Sequence, residues 1–239
     1  VKPGAALPWW PLPWWPLPLV AGALPLAASL IAWAVSTHAG AVPACNPFID
    51  GCVSISRAAR QDASIAWFRA LLLPAATLQA LVWVLQAQAL RTLGGDAVRG
   101  SALAMSVLGV VAGVALVAYG SFLGVDGEVY RFLRRYGTVA AFGGTCLAML
   151  VAARALQRLH ALGRVEVPRG HARALLVLLV AVVLLGVGNA VVGSVAGGAL
   201  ADRVENVTEW WGSLGLALGF AVIASLWRRW GLRWGVRRG

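Results

Sequence analysis

Charge is what this chain has least of. Asp, Glu, Lys and Arg make up 12% of its 239 residues, where a soluble domain carries roughly 25%. Together with 60% hydrophobic residues and a mean hydropathy of +0.78, that shortage excludes an ordinary soluble domain and leaves an integral membrane protein. Lysine is almost absent, with Lys2 alone; a chain rich in alanine, leucine and arginine but not lysine reads as the product of a high-GC bacterium. Histidine is sparse and scattered: His38, His160 and His171 do not cluster, which argues against a haem held by histidines inside the bilayer. There is no phosphate-binding glycine loop ending in Lys-Ser/Thr, no His-Glu-x-x-His, no Cys-x-x-Cys and no Gly-x-Ser-x-Gly elbow. No cofactor is implied. Of three cysteines, Cys45 and Cys52 share one loop and Cys146 lies alone in an apolar run, so no soft-ligand metal site is expected either.

What is there is a succession of apolar runs, each near the roughly 20 residues needed to cross a bilayer. They predict an all-α, polytopic membrane helical bundle of about six transmembrane helices forming a single domain. The spans fall at residues 19–35, 65–90, 101–123, 137–156, 174–200 and 210–226. Residues 1–18 carry a nearly repeated Pro-Trp-Trp-Pro-Leu unit, too rich in proline for helix and suited to the headgroup zone, and not an obvious signal peptide. Residues 227–239 form a tail in which Trp227, Trp230 and Trp234 alternate with arginines, the pattern of an interfacial anchor.

The formal net charge of +11 does not point to nucleic acid, because the basic residues sit at helix ends and in the tail. They read as a topology signal. With the N-terminus in the cytoplasm, that side collects 13 of the 20 basic residues, from Lys2 and Arg91 to Arg238. The positive-inside rule then puts both termini in the cytoplasm of a bacterial inner membrane. Most of the carboxylates, from Asp50 to Glu209, fall on the opposite, outer side.

That outer side holds the candidate chemistry. Cys45 to Arg60 is a long polar interruption between two spans; its cysteine pair would form a stiffening disulfide if the loop faces an oxidising compartment. A lipid headgroup site is expected from Asp50, Ser56 and Arg60 of this loop, Glu128 and Arg131 of the second and Glu205 and Glu209 of the third. His38, Asp50 and Ser54 are the candidates for an acyl-transfer or hydrolytic site, since a base, a carboxylate and a hydroxyl are the parts such chemistry uses. The competing reading is that these groups cap helices and pair with nearby arginines. Asn189, mid-span, must find a partner within the bundle, and Asn206-Val207-Thr208 matches a glycosylation sequon too close to the membrane to carry weight. Glycine pairs Gly109/Gly113, Gly193/Gly197 and Gly215/Gly219 have helix-contact spacing, within the bundle or in a homo-oligomer.

Pro47-Phe48-Ile49-Asp50-Gly51, then Ser54-Ile55-Ser56 and Trp67-Phe68-Arg69, together with Glu205-Asn206-Val207-Thr208-Glu209-Trp210 before the last span, resemble the Frag/DRAM/Sfk family of six-helix membrane proteins. Arg60-Gln61-Asp62-Ala63 stands where the eukaryotic branch has a double proline, so the likeness is to a bacterial branch. The resemblance implies lipid-linked work at the outer leaflet and transfers no catalytic residue. Three functions are therefore expected to compete: binding or sensing a lipid headgroup, lipid remodelling at the same site, or service as an accessory subunit of a membrane complex. Membrane lipids are the expected ligands in the first two.

Overall fold

The computed structural model describes residues 13–163 and 169–232. Among them the chain is all helix: α1 (Pro16–His38), α2 (Ile55–Ala59), α3 (Asp62–Gly94), a 3-10 turn (Gly95–Val98), α4 (Arg99–Phe122), α5 (Glu128–Ala161), α6 (Arg169–Val195) and α7 (Gly198–Arg229). All but α2 and the turn are long and apolar enough to cross a bilayer, the composition of a multi-pass membrane protein.

The helices outrun the apolar runs that predict them. α1 begins at Pro16 because a proline in the first turn gives up an N–H that has no intrahelical partner anyway. Of the expected irregular segment 1–18, residues 1–12 lie outside the described residues; the rest is fixed by the Trp14 N–H, which donates to the Leu232 carbonyl at 3.0 Å. α5 and α7 have 34 and 32 residues, about 50 Å each at 1.5 Å per residue, so the segments read as loops before them are largely helical. Nothing breaks the helix after Glu128. The real break is Gly197-Gly198, both at φ +57°, which ends α6 at Val195 instead of Leu200 and turns Asp202 to Glu209 into the opening turns of α7.

α3 packs between α1 and α4, α4 against α5, and α7 against α1 and α6, while α5 and α7 barely touch. Small residues set the close approaches. A Cβ on Gly109 would enter the Trp83 ring, one on Gly22 would lie 2.5 Å from the Phe220 Cβ, and one on Gly219 would lie 2.6 Å from Met149 Sδ. The Gly193/Gly197 spacing makes no such contact: a Cβ on either meets nothing within 4 Å. Trp227 also departs from the interfacial reading. It is buried, and its indole N–H donates to Gln86 Oε1 inside the core; Trp234 and the arginines after Leu232 lie outside the described residues.

α6 stands apart. Only Ala172 and Leu175 of it are buried, and Leu184 and Val195 are 64% and 82% exposed. Its buried residues lie in its first two turns, and beyond them Val182 still packs against Gly215 of α7 while most of the helix surface is exposed. The short helix α2 is clamped by hydroxyls from two spans: Ser36 Oγ and Ser64 Oγ each donate to the Ala58 carbonyl at 2.7 Å, in a fully buried setting.

The contrast between glycines is testable by thermal unfolding in detergent. Gly109→Ala is expected to cost about 1–3 kcal/mol by forcing Trp83 aside, and Gly193→Ala to be neutral or slightly stabilising.

Candidate functional site

The loop between α1 and α2 is tied first to itself. Cys45 and Cys52 are disulfide-bonded, with Cα atoms 6.6 Å apart. Asn46 organises the turn between them: its Oδ1 accepts from the Phe48 N–H at 3.1 Å, its N–H donates to Asp50 Oδ2 at 2.8 Å, and its carbonyl takes the Asp50 N–H at 2.8 Å. Asp50 is thus used inside the loop, at an exposed position.

The loop backbone is then gripped by the first turns of α7. Arg203, Asn206, Val207 and Trp210, spaced i, i+3, i+4 and i+7, share one helix face. Asn206 Nδ2 donates to the Gly51 carbonyl at 2.8 Å and Trp210 Nε1 to that of Val53 at 3.0 Å, while an Arg203 Nη nitrogen reaches Ile49 O at 3.5 Å. Trp211 Nε1 donates to the Phe48 carbonyl at 3.0 Å, and the Phe48 ring lies 5.4 and 5.6 Å from the two indoles. Gly51 is required here: it sits at φ +61°, and a Cβ would come 2.7 Å from Arg203 Cγ. Glu209 closes the grip. Its Oε2 accepts the Ile55 N–H at 2.9 Å, and Ser54 Oγ accepts the Arg57 N–H at 3.1 Å, so α2 has its first donors satisfied from two directions.

A second face of the same helix, Glu205, Thr208, Glu209 and Gly212, lines a cavity of about 960 Å³. The same cavity is lined by Arg131, Arg134, Arg135, Thr138 and Phe142 on one face of α5, with Ser56 and Arg60 from the α2 region and Tyr119 from α4. Farther into the bundle the walls become apolar: Pro25, Leu72, Leu116 and Val182, with Asn189 on the α6 side. Arg134 also donates to the Phe122 carbonyl at 3.2 Å and to that of Val125, and Arg69 donates to Gly120 and Leu123 at 3.1 and 2.6 Å. Those guanidinium groups cap the carbonyl end of α4, where its dipole favours positive charge. The others keep their charge free: among the described residues no carboxylate oxygen comes within 4.0 Å of a guanidinium nitrogen, and the side chains of Arg60, Arg131, Arg135 and Glu205 make no hydrogen bond.

Of the residues expected to meet a headgroup, Ser56, Arg60, Arg131, Glu205 and Glu209 therefore line one cavity. Asp50 and Glu128 do not line it, nor do His38 and Ser54. No hydrogen bond joins any two of His38, Asp50 and Ser54 among the described residues; Ser54 bonds Ser56 Oγ at 3.2 Å, and His38 is exposed at the end of α1. No three metal-ligating side chains gather among the described residues. The expected ion pairs to the loop arginines do not form. Arg134, Arg135, Tyr119 and Thr138 escape the sequence reading, although the 131-134-135-138 spacing marks one helical face once Glu128 is known to start a helix. Asn206 is committed to Gly51. The chain matches no known family model, no curated protein and no solved structure.

Trp210→Phe keeps an aromatic ring, though a smaller one, and leaves the Val53 carbonyl, in a fully buried residue, without its donor. A loss of about 1–3 kcal/mol is expected, seen as a lowered Tm in detergent. Trp211→Phe, at a half-exposed indole, should cost less.

Proposed function

We propose that this chain binds a membrane lipid, taking the headgroup among the charges at the loop end of the cavity and the start of the acyl chains between the apolar walls below. The observation that carries this is the gradient in one cavity from unpaired arginines and carboxylates to leucine, valine and proline. A headgroup supplies counter-charges; an acyl chain covers the apolar surface. A cavity of about 960 Å³ is ample for a headgroup and glycerol, lying at the upper end of ordinary ligand pockets. The remaining chain length leaves through the seams beside α6, the helix with least buried surface.

The distribution of basic residues supports an orientation with the loop end, and hence the headgroup, at the outer leaflet of a bacterial inner membrane and both termini in the cytoplasm. Lipid-linked work at the outer leaflet is also what the resemblance to the Frag/DRAM/Sfk family implies. Binding, rather than remodelling, is favoured because His38, Asp50 and Ser54 stay outside the cavity and unconnected.

The test is to purify the full chain from membranes in mild detergent and identify co-purifying lipid by native mass spectrometry. Gly186→Leu and Gly212→Leu put bulk into the cavity at positions where an added Cβ meets nothing, or only Phe142 at 3.7 Å. Both variants are expected to keep the wild-type Tm and to lose bound lipid. Equal retention in wild type and both variants would overturn the proposal.

A further inference from the structure

The charges in the cavity are sorted by wall, and the sorting specifies a headgroup. Arg131, Arg134 and Arg135 stand on α5, and Arg60 joins them from the end of α2. Glu205 and Glu209, one helical turn apart, stand on α7. α5 and α7 meet deeper in the bundle, where Gly219 lies against Met149, and the two sets of charges line the same cavity without pairing; no oxygen of one comes within 4.0 Å of a nitrogen of the other among the described residues. Tyr119 lines the same cavity, its hydroxyl within electrostatic reach of Glu209, Arg134 and Arg60.

Resting on the lipid-binding reading, we infer that the ligand is a phospholipid with a zwitterionic phosphate-amine headgroup, its phosphate held by Arg131, Arg135 and Arg60 and its primary ammonium by Glu205, with Glu209 beside it. Arginine meets a phosphate with two parallel N–H donors, and a carboxylate accepts from an ammonium; both bonds are charge-assisted. A purely anionic headgroup would satisfy the arginines and leave two carboxylates facing it, a like-charge arrangement that selects against it. A headgroup bearing both charges leaves neither wall unmatched. Asp126, the third carboxylate on the cavity, precedes α5 in the chain. Glu209 is engaged by the backbone N–H groups of Ile55 and Ser56, so it lies beside the ammonium site without being its free ligand. Glu205 has no partner among the described residues and is free to serve the ammonium alone.

The test uses the full chain, delipidated in detergent and offered phosphatidylethanolamine or phosphatidylglycerol of identical acyl composition, with bound lipid read by native mass spectrometry. Phosphatidylethanolamine is expected to be retained about tenfold over phosphatidylglycerol, as befits one added charge-assisted contact. Glu205→Gln, at an exposed side chain that holds nothing in the fold, should bring the ratio close to one, and Glu205→Lys should invert it; Tm reports that both stay folded. Arg131→Gln combined with Arg135→Gln should lose both lipids. Soluble glycerophosphoethanolamine, with the headgroup and no acyl chain, should fail to displace the lipid at matched concentration. Wild-type preference for phosphatidylglycerol, or a preference that Glu205→Gln leaves intact, would overturn the zwitterion assignment while the lipid site stands. Retention of neither lipid would overturn the lipid site itself, and displacement by the soluble headgroup would move the ligand from the bilayer to solution.

Discussion

A backbone that enters an apolar environment must have its N–H and C=O groups satisfied, and in this protein the demand falls on the Cys45–Cys52 loop. Its carbonyls at Phe48, Gly51 and Val53 receive no ladder or helix bond; they receive Trp211, Asn206 and Trp210. The first turns of α7 serve as the missing donors. Because those donors, with Arg203, must project from one helix at i, i+3, i+7 and i+8, α7 must already be helical at Arg203, which in turn requires the chain to reverse at Gly197-Gly198. Gly51 answers from the loop side, since only a residue without a Cβ lets the two backbones come so close.

Gripping the loop with one face of α7 leaves the adjacent face to look inward, and this is how a structural device produces a site. Glu209 lies on the boundary and serves both faces, accepting the Ile55 N–H and lining the cavity. Ser36 and Ser64 hold the far end of α2 through one carbonyl, Ala58, so the short helix that carries Ser56 and precedes Arg60 is fixed at both ends. Arg69 and Arg134 are anchored on the carbonyls that end α4. The walls of the cavity are therefore positioned by backbone hydrogen bonds, and the charges that remain do not neutralise one another. Leaving unmatched charge beside apolar walls is costly unless something supplies the counter-charge. A lipid headgroup is the counter-charge we propose.

Much of the fold is legible in the amino-acid sequence because bilayer thickness imposes a length on each apolar run, and the six runs coincide with the six long helices. Their ends are not legible in the same way. Hydropathy stops reporting helix once charged residues begin, so the polar turns of α5 and α7 pass for loops; Gly197 pairs with Gly193 at helix-contact spacing in the sequence, whereas its φ and that of Gly198 make a turn. The site was half visible for the same reason. Ser56, Arg60, Arg131, Glu205 and Glu209 meet at one cavity, but Asp50 turns back on Asn46 and Glu128 starts a helix without reaching the cavity. An Asn-x-x-x-Asp spacing around a proline fits a loop staple as well as a ligand-binding carboxylate, and only the fold separates the two. Arg134 and Arg135 become readable as site residues only when the helical phase of α5 is known. The buried Trp227 shows the limit of composition, since an indole flanked by arginines suits an interface and a core equally well.

The central claim is that a lipid occupies the space between α5 and α7. It is tested most directly by reconstituting the full chain with a phospholipid carrying a photoreactive group near the glycerol and mapping the cross-links by mass spectrometry. The account expects labels on cavity-lining segments, Arg131 to Phe142 of α5 and Glu205 to Ser213 of α7, that are competed away by unlabelled lipid. Labels confined to the exposed valines and leucines of α6 and α4, and not competed, would mean that lipid only surrounds the bundle and would contradict it.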